Sequence, residues 1–358
     1  MEPATTLDPA KSEGFAALMI DQLNKGFLTF LLSIGHRTRL FDTLAALAPS
    51  TSAEIADAAG LNERYVREWL SAMACAGVLD YEPARQTFAL PPEHAAYLTR
   101  AAGPDNFAMF LQYAAEVGKA EDLIVEAFRT GRGVPYSAYP KIQHLHREES
   151  LMMLDGTLLD GIVPLVDGLR ARLESGIDVL DIGCGAGHAM NLLATTHPQS
   201  RFAGYDLSPD GIELARAESA ALGVRNARFE VRDCAALDEP ERYDVVMAFD
   251  AVHDQARPQA VLDAVHRALR PGGTLVMVEI AASSRLENNL DNPLGTFLYC
   301  ASTLYCMSVS LAYGGEGLGT AWGEERAREM LAAAGFGELT VRPIAADPMH
   351  AVYAARRA

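Results

Sequence analysis

The sequence predicts an α/β protein in which a parallel sheet with helices on both faces follows a mostly helical domain. A length of 358 residues suggests two domains rather than one. The pattern changes near residue 175, after which short β-rich runs alternate with helical stretches. Such alternation is typical of parallel strands joined by helices. The five predicted parallel strands are residues 177–182, 201–205, 227–231, 243–249 and 273–280.

Composition and charge exclude several classes of protein. Apolar residues make up 49% and charged residues 22%, which is ordinary for a globular chain. The net charge of −17 argues against nucleic acid and anionic lipid as partners, because phosphates would repel the chain. Five cysteines without a CxxC pair argue against a disulfide framework and a metal site. We therefore expect the protein to reside in the cytoplasm, where thiols stay reduced. The first 13 residues lack the apolar core of a secretory signal.

The N-terminal region has the features of a winged-helix domain. Apolar residues at three- and four-residue steps predict helix over residues 12–47, with core or dimer contacts. Thr51 and Glu54 form a capping-box pattern that opens a short helix ending at Gly60, and Asn62 can cap a second helix. Two short strand-like runs, 78–81 and 87–90, follow and complete the arrangement.

Winged-helix domains often bind DNA, and the charges of this region decide between that role and a packing role. Residues 51–100 carry seven acidic residues against four arginines, and each arginine of the second helix has a glutamate nearby. A helix that reads a DNA groove is expected to show a basic stripe. The sequence therefore favours a packing or dimerisation domain.

A glycine-rich loop after the first parallel strand is the strongest functional signal. Residues 179–188 read VLDIGCGAGH, with GxGxG spacing rather than the GxGxxG of a dinucleotide loop. Asp181, at the strand end, would disfavour a pyrophosphate and suit a cationic amino group, although it can also be read as a helix cap. The loop thus favours an amino-acid-bearing nucleotide over NAD.

Two further acidic residues follow the next strands. Asp206 can accept both hydroxyls of a ribose, and Asp233 is available to an exocyclic adenine amine. Leu207 and Ala235 can flank the base. Taken alone, Asp206 can be an ordinary strand-end carboxylate, but three strand ends carry the expected residue.

At these residues the chain resembles the class I S-adenosylmethionine-dependent methyltransferases. DIGCGAG is similar to that family's first motif, and the resemblance covers residues 177–358. The preceding region resembles, more loosely, the dimerisation domain of small-molecule O-methyltransferases. The resemblance implies a Rossmann-like seven-stranded sheet with its last strand antiparallel, S-adenosylmethionine as cofactor, and a homodimer formed through the N-terminal domain. The implied cofactor-binding residues are Asp181, Gly183, Cys184, Gly185, Gly187, Asp206, Leu207, Asp233, Cys234 and Phe249.

The resemblance also implies a general base. FDAVHDQ follows the fourth strand at the carboxyl edge of the sheet, where ligands bind in open α/β folds. It is similar to the histidine-aspartate stretch of small-molecule O-methyltransferases, where the histidine is the base, although Gln255 stands in place of the usual aromatic residue. His253 is therefore predicted as the base, and the alternative is that it only shapes the cofactor pocket.

We predict three segments: a winged-helix domain (1–110), a helical linker and possible lid (111–175) and a cofactor-binding domain (176–358). The possible lid includes Tyr136, Tyr139 and residues 141–149. Within the last domain an insertion, 281–323, is predicted to face the acceptor, and its aromatic residues suggest an apolar or compact molecule. The alternative is plain helix packing. The predicted substrate residues are Tyr299, Tyr305, Tyr313 and Trp322.

The sequence therefore predicts a cytoplasmic methyltransferase that acts on an oxygen or sulfur atom of a small molecule. A hydroxyl acceptor is favoured, with a thiol or sulfide as the alternative, because thiols ionise near neutrality and need no strong base. A hypothesis of another class is a transcriptional regulator that senses the nucleotide through its second domain.

Overall fold

A computed structural model describes residues 7–358, which divide into two compact units. The first unit ends at Ala115, and the second comprises Glu116–Ala358. The expectation that no secretory signal is present falls partly on residues 1–6, which lie outside the described residues.

The first unit contains a winged helix built from five helices and a two-stranded hairpin. Both predicted caps are present: Thr51 and Glu54 form a capping box, and Asn62 accepts from Arg64 N–H. The predicted helical stretch 12–47 consists of two helices, because Arg39 adopts a left-handed φ of 62° between them. The elements are α1 (Pro9–Arg37), α2 (Leu40–Ala46), α3 (Ser52–Ala59), α4 (Glu63–Cys75), β1 (Asp80–Glu82), β2 (Thr87–Ala89) and α5 (Pro92–Leu98).

The core of this unit forms around buried aromatic and aliphatic side chains of α2 to α4. Phe41 and Trp69 pack edge to face with ring centroids 5.2 Å apart. Gly35 of α1 lies against both rings, and a Cβ there would stand 2.6 Å from each. A side chain at this position would therefore push α1 away from the core.

The remaining surface of α1 is apolar and exposed. Phe15, Leu23 and Phe27 are 62%, 61% and 70% exposed. By length and composition alone, α1 and the stretch Gly295–Ala312 would each suffice to cross a membrane. Because 39% of the second stretch is buried and α1 lies near the N-terminus, this is weak evidence for a membrane span.

The second unit contains a seven-stranded sheet among the described residues, in the order β5-β4-β3-β6-β7-β9-β8. The first five strands are parallel, and β9 pairs antiparallel with both β7 and β8, as predicted. The strands are β3 (Asp178–Ile182), β4 (Arg201–Asp206), β5 (Ala227–Val231), β6 (Tyr243–Phe249), β7 (Leu269–Ile280), β8 (Phe336–Ile344) and β9 (Asp347–Arg357).

Helices cover both faces of this sheet. Val179 and Leu180, neighbours on β3, belong to two different buried clusters, because successive strand side chains point to opposite faces. The carboxyl ends of the parallel strands meet at one edge, which carries the glycine loop, Asp206 and the His253 segment. Helix α6 (Phe107–Val117) begins in the first unit and ends just past its limit at Ala115. The helices of the second unit are α7 (Glu121–Thr130), α8 (Ile142–Thr157), α9 (Leu169–Ser175), α10 (His188–Thr196), α11 (Pro209–Leu222), α12 (Pro258–Ala268), α13 (Gly295–Ala301), α14 (Met307–Ala312) and α15 (Gly323–Ala333).

Candidate active site

The glycine loop turns sharply between β3 and α10. Gly183, Gly185 and Gly187 all have positive φ values, of 66°, 51° and 70°. At Gly187 a Cβ would lie 2.5 Å from the Phe229 ring and 2.6 Å from the Ala215 Cβ. Glycine is therefore required there both for the backbone conformation and for the close approach of the loop to its neighbours.

Asp181 provides a buried carboxylate oxygen that no described residue satisfies. The residue is 2% exposed, and its Oδ1 has no hydrogen-bond partner in the part of the chain that the structure describes. Burial, followed by the nearby Asp206, raises the pKa of this carboxyl well above its usual range. An unpaired buried oxygen of this kind fits a cationic ligand group, such as the amino group of an amino-acid-bearing nucleotide.

Asp206 fixes the loop through its carboxylate. Its Oδ2 accepts from Gly185 N–H at 2.8 Å and its Oδ1 from Ser208 N–H at 2.7 Å. Burial raises the pKa of Asp206, although the N–H groups that it accepts from oppose the shift. Each oxygen keeps a further lone pair, so both can still accept ribose hydroxyls.

The remaining predicted cofactor residues line the same edge or its core. Asp233 accepts from Ala235 N–H at 2.8 Å and pairs with Arg257 at 3.0 Å, so an adenine amine would share an occupied carboxylate. Leu207 is 56% exposed, so its side chain is available to flank a base. Phe249 ends β6 and is half-buried.

The two predicted cysteines have unreactive thiols. Burial raises the pKa of the Cys184 thiol and raises that of Cys234 to about 12.

His253 lies in a buried pair with Glu279. Its Nδ1 is 2.6 Å from Glu279 Oε2, and its Nε2 is 3.3 Å from Asp254 Oδ1. Burial opposes protonation of the imidazole, but the Glu279 and Asp254 carboxylates outweigh it and hold the pKa of His253 well above its usual range. The Glu279 carboxylate therefore orients the ring and stabilises the imidazolium that proton abstraction would create.

Glu279 is a residue of this site that was not predicted from the sequence. A signal for it exists, because Glu279 is the single acidic residue in the apolar run LVMVEI of β7 and is 0% exposed. Its Oε1 accepts from Val252 N–H at 3.0 Å and its Oε2 from Trp322 Nε1–H at 3.3 Å. A buried carboxylate with this many donors is held in one position.

A second imidazole–carboxylate pair, also missed, joins the buried His350 to Asp250, whose side chain is 40% exposed. Asp250 adopts a positive φ of 46° at the end of β6, and its Oδ2 is 2.9 Å from His350 Nε2. The Nδ1 of His350 is 2.6 Å from Asp347 Oδ2. Burial opposes protonation of His350, but Asp250 and Asp347 raise its pKa well above the usual range. Strained backbone of this kind concentrates at functional sites.

The structure brings two of the four predicted substrate residues into one aromatic cluster. Tyr136 packs against Tyr305 and Tyr313, with ring centroids 6.1 Å and 5.8 Å away, and Tyr139 stands perpendicular to Tyr305 at 5.1 Å. Burial, then Asp254 and Asp206, raise the pKa of Tyr136 well above its usual range, so this hydroxyl stays protonated near the site. Among the described contacts, Tyr299 bonds Asn289, and Trp322 bonds Glu279.

Helix α8, part of the predicted lid, lies over the glycine loop. A Cβ at Gly185 of this loop would lie 3.9 Å from Gln143 Oε1, an oxygen that has no hydrogen-bond partner among the described residues. His188, the first residue of α10, is 3.0 Å from both Asp155 of α8 and Glu218 of α11. The closing of this helix over a ligand stays a prediction.

Comparisons with known protein families divide the chain as its fold does. Residues 26–100 match the family described as the Rv2258c-like winged HTH domain, and residues 173–335 match the family described as the methyltransferase domain.

Curated relatives match part of the second unit. A fatty-acid O-methyltransferase of Mycolicibacterium smegmatis is 33% identical over 27% of this chain and 35% of its own length. A ubiquinone biosynthesis O-methyltransferase of Xanthomonas euvesicatoria is 32% identical over 30% of this chain and 46% of its own length. The chain thus spans between about a third and half of the length of these relatives.

Solved structures match nearly the whole chain in fold. An O-methyltransferase family protein from Burkholderia thailandensis superimposes with a TM-score of 0.68, at 17% identity over 96% of this chain and 98% of its own. Human N-acetylserotonin methyltransferase, solved with SAM, gives 0.69, at 18% identity over 99% of both chains. At such identity the likeness shows the fold.

Proposed function

We propose that the chain is a class I S-adenosylmethionine-dependent methyltransferase with an N-terminal winged-helix domain, and that it transfers a methyl group to a hydroxyl oxygen of a small molecule. The observation that carries the proposal is the buried contact of 2.6 Å between His253 Nδ1 and Glu279 Oε2 at the carboxyl edge of the sheet. The edge also carries the glycine loop and Asp206, so a base and a nucleotide site adjoin each other.

The cofactor would be held by the glycine loop and the acidic residues at the strand ends. The unsatisfied Asp181 oxygen suits the cationic amino group, and Asp206 suits the ribose hydroxyls. Leu207 and Ala235 would flank the adenine, beside Asp233, Cys234 and Phe249. When bound, S-adenosylmethionine supplies an electrophilic methyl group on a sulfonium sulfur.

The residues of this chain have to remove one proton and align the acceptor. His253 in its neutral form would take the proton of the acceptor hydroxyl, whose oxygen would receive the methyl group that the bound cofactor supplies. Glu279 stabilises the charge that develops on the imidazole. A positioned base typically contributes about 10²–10⁴-fold in rate, and alignment contributes a further ~7–11 kcal/mol.

The walls of the site support an aromatic acceptor. Tyr136, Tyr305 and Tyr313 form a cluster next to the carboxylates, and its rings are suited to stacking against an apolar, planar molecule. Tyr299 and Trp322 stay predictions for this wall, and Trp322, at 4% exposure, leaves little of its indole for contact with an acceptor. The aromatic hydroxyl acceptor is part of this proposal. A thiol acceptor is the alternative, and a methyl-transfer assay with both kinds of acceptor distinguishes the two.

The N-terminal unit would act in assembly rather than in DNA binding. Glu68 pairs with Arg64, and Glu63 lies 3.3 Å from Arg67, so the exposed arginines of α4 are neutralised. The exposed apolar side chains of α1 would be covered by a second copy of the chain in a homodimer. We place the enzyme in the cytoplasm.

The proposed base is tested by comparing His253→Ala with His94→Ala, which removes a histidine from the first unit. With a phenolic acceptor, His253→Ala should reduce kcat by about 10²-fold or more, while His94→Ala retains activity. Unchanged turnover of His253→Ala at neutral pH would refute the base. An electrophoretic shift with the promoter region of its own gene would favour the alternative of a nucleotide-sensing regulator.

A further inference from the structure

Trp322 occupies a fixed position beside the Glu279 carboxylate. Its indole is 4% exposed and packs into the core, immediately before α15. The backbone is held on both sides, because Trp322 N–H donates to Gly319 O at 3.1 Å and its carbonyl accepts from Ser284 Oγ at 2.5 Å. The indole N–H therefore has a defined direction, toward Glu279 Oε2.

One carboxylate oxygen receives both the indole and the imidazole. Glu279 Oε2 lies 3.3 Å from Trp322 Nε1 and 2.6 Å from His253 Nδ1, while Oε1 accepts from the backbone of Val252. We propose that Trp322 is a positioning residue that orients Glu279 and limits how strongly this carboxylate retains the proton of His253. This role rests on the proposed function of His253 as the base.

The physical reason is competition for one acceptor. A carboxylate oxygen that accepts two hydrogen bonds shares its negative charge between the two donors. When one donor is lost, the hydrogen bond to the remaining donor becomes stronger. Without the indole, Glu279 would hold the imidazolium proton more strongly. The other groups that interact electrostatically with His253 are Asp254, Cys306, Asp250 and His146, and a change at Trp322 leaves all four in place.

The chain offers a matched control, because it contains only two tryptophans. Trp69 is also buried and donates its indole N–H, but to the backbone carbonyl of Leu31 in the first unit at 2.8 Å. Trp322→Phe should move the acid limb of the kcat profile to higher pH by about half a unit or more, which corresponds to roughly a threefold lower rate on that limb. Trp69→Phe should leave the limb in place.

A spectroscopic titration tests the contact in the intact chain, without relying on the folding of Trp322→Phe. In Trp69→Phe labelled with ¹⁵N-tryptophan, the single indole N–H signal belongs to Trp322. We expect this signal to shift with pH along the same curve as the imidazole of His253, and to lose the shift in the Trp69→Phe, His253→Ala double variant.

Two outcomes overturn the inference: an indole signal that stays constant while His253 titrates, or an acid limb that Trp322→Phe leaves unmoved. Failure of the proposed function gives a different result. In that case His253→Ala keeps its turnover, whatever the indole signal does.

Discussion

The Nδ1 of His253 lies 2.6 Å from Oε2 of Glu279, and both residues are buried. Glu279 is on β7 and His253 follows β6, two parallel neighbours whose carboxyl ends meet at one edge. The pairing of strands that are separated in sequence thus creates an imidazole–carboxylate pair that no local motif contains.

The first prediction concerns the pH dependence of turnover. Because Glu279 and Asp254 raise the pKa of His253 against the effect of burial, the imidazole loses its proton only above the ordinary value of about 6.5. Activity that needs the neutral base should therefore rise with pH through this range and level off above it. A profile of kcat with a phenolic acceptor checks this, and a plateau that already begins near pH 6 would contradict it.

The second prediction separates cofactor binding from backbone strain. Gly185 and Gly131 both have positive φ, and a Cβ at Gly185 would meet only Gln143 Oε1 at 3.9 Å, while one at Gly131 would meet nothing within 4 Å. Alanine at either position should cost about 1–2 kcal/mol in the free energy of unfolding. Only Gly185→Ala should also lose affinity for S-adenosylhomocysteine in calorimetry, because its methyl group would enter the cofactor space. If the two variants bound S-adenosylhomocysteine with equal affinity, the glycine loop would not be part of the binding site.

The third prediction concerns stability and pH. The pKa of His350 is raised by Asp250 and Asp347 against burial, so its contribution to stability is full below about pH 6.5 and is lost as the pH rises through the raised value. His350→Gln should therefore destabilise the protein by about 3 kcal/mol at pH 6 and by less at high pH.

Urea unfolding at both pH values measures the effect of His350→Gln. The control is His266→Gln, because burial and then Arg357 lower the pKa of His266, so its pH dependence has the opposite sign. A destabilisation by His350→Gln that does not change with pH would show that His350 is not charged in the folded protein.

The fourth prediction concerns assembly. The exposed Leu23 and Phe27 of α1 would be buried in the proposed homodimer, so Leu23→Glu combined with Phe27→Glu should produce a monomer in light scattering. The control is Asn24→Glu, which adds charge at an exposed polar position of the same helix. A monomeric wild-type chain would contradict the dimer, and a dimeric double variant would place the interface elsewhere.

The sequence predicts the fold well because local patterns determine it. The alternating runs identify the five parallel strands of the larger sheet, and the caps at Thr51 and Asn62 identify two helices of the winged helix. The break at Arg39 could not be predicted, because the apolar spacing continues through it.

The site is less predictable than the fold, because its partners come from distant strands. The glycine loop and His253 have recognisable neighbours in sequence, whereas Glu279 and His350 join the site through pairing in the sheet. Trp322 shows the same limit, because aromatic character alone predicts a substrate wall, while its contact with Glu279 depends on tertiary packing.

The proposed reaction can be measured as transfer of an isotope-labelled methyl group from S-adenosylmethionine to matched panels of phenols, thiols and carboxylates. We expect labelled product with the methyl group on a phenolic oxygen, and loss of that product in His253→Ala. Label that appears only on sulfur, or on no acceptor, would contradict this expectation.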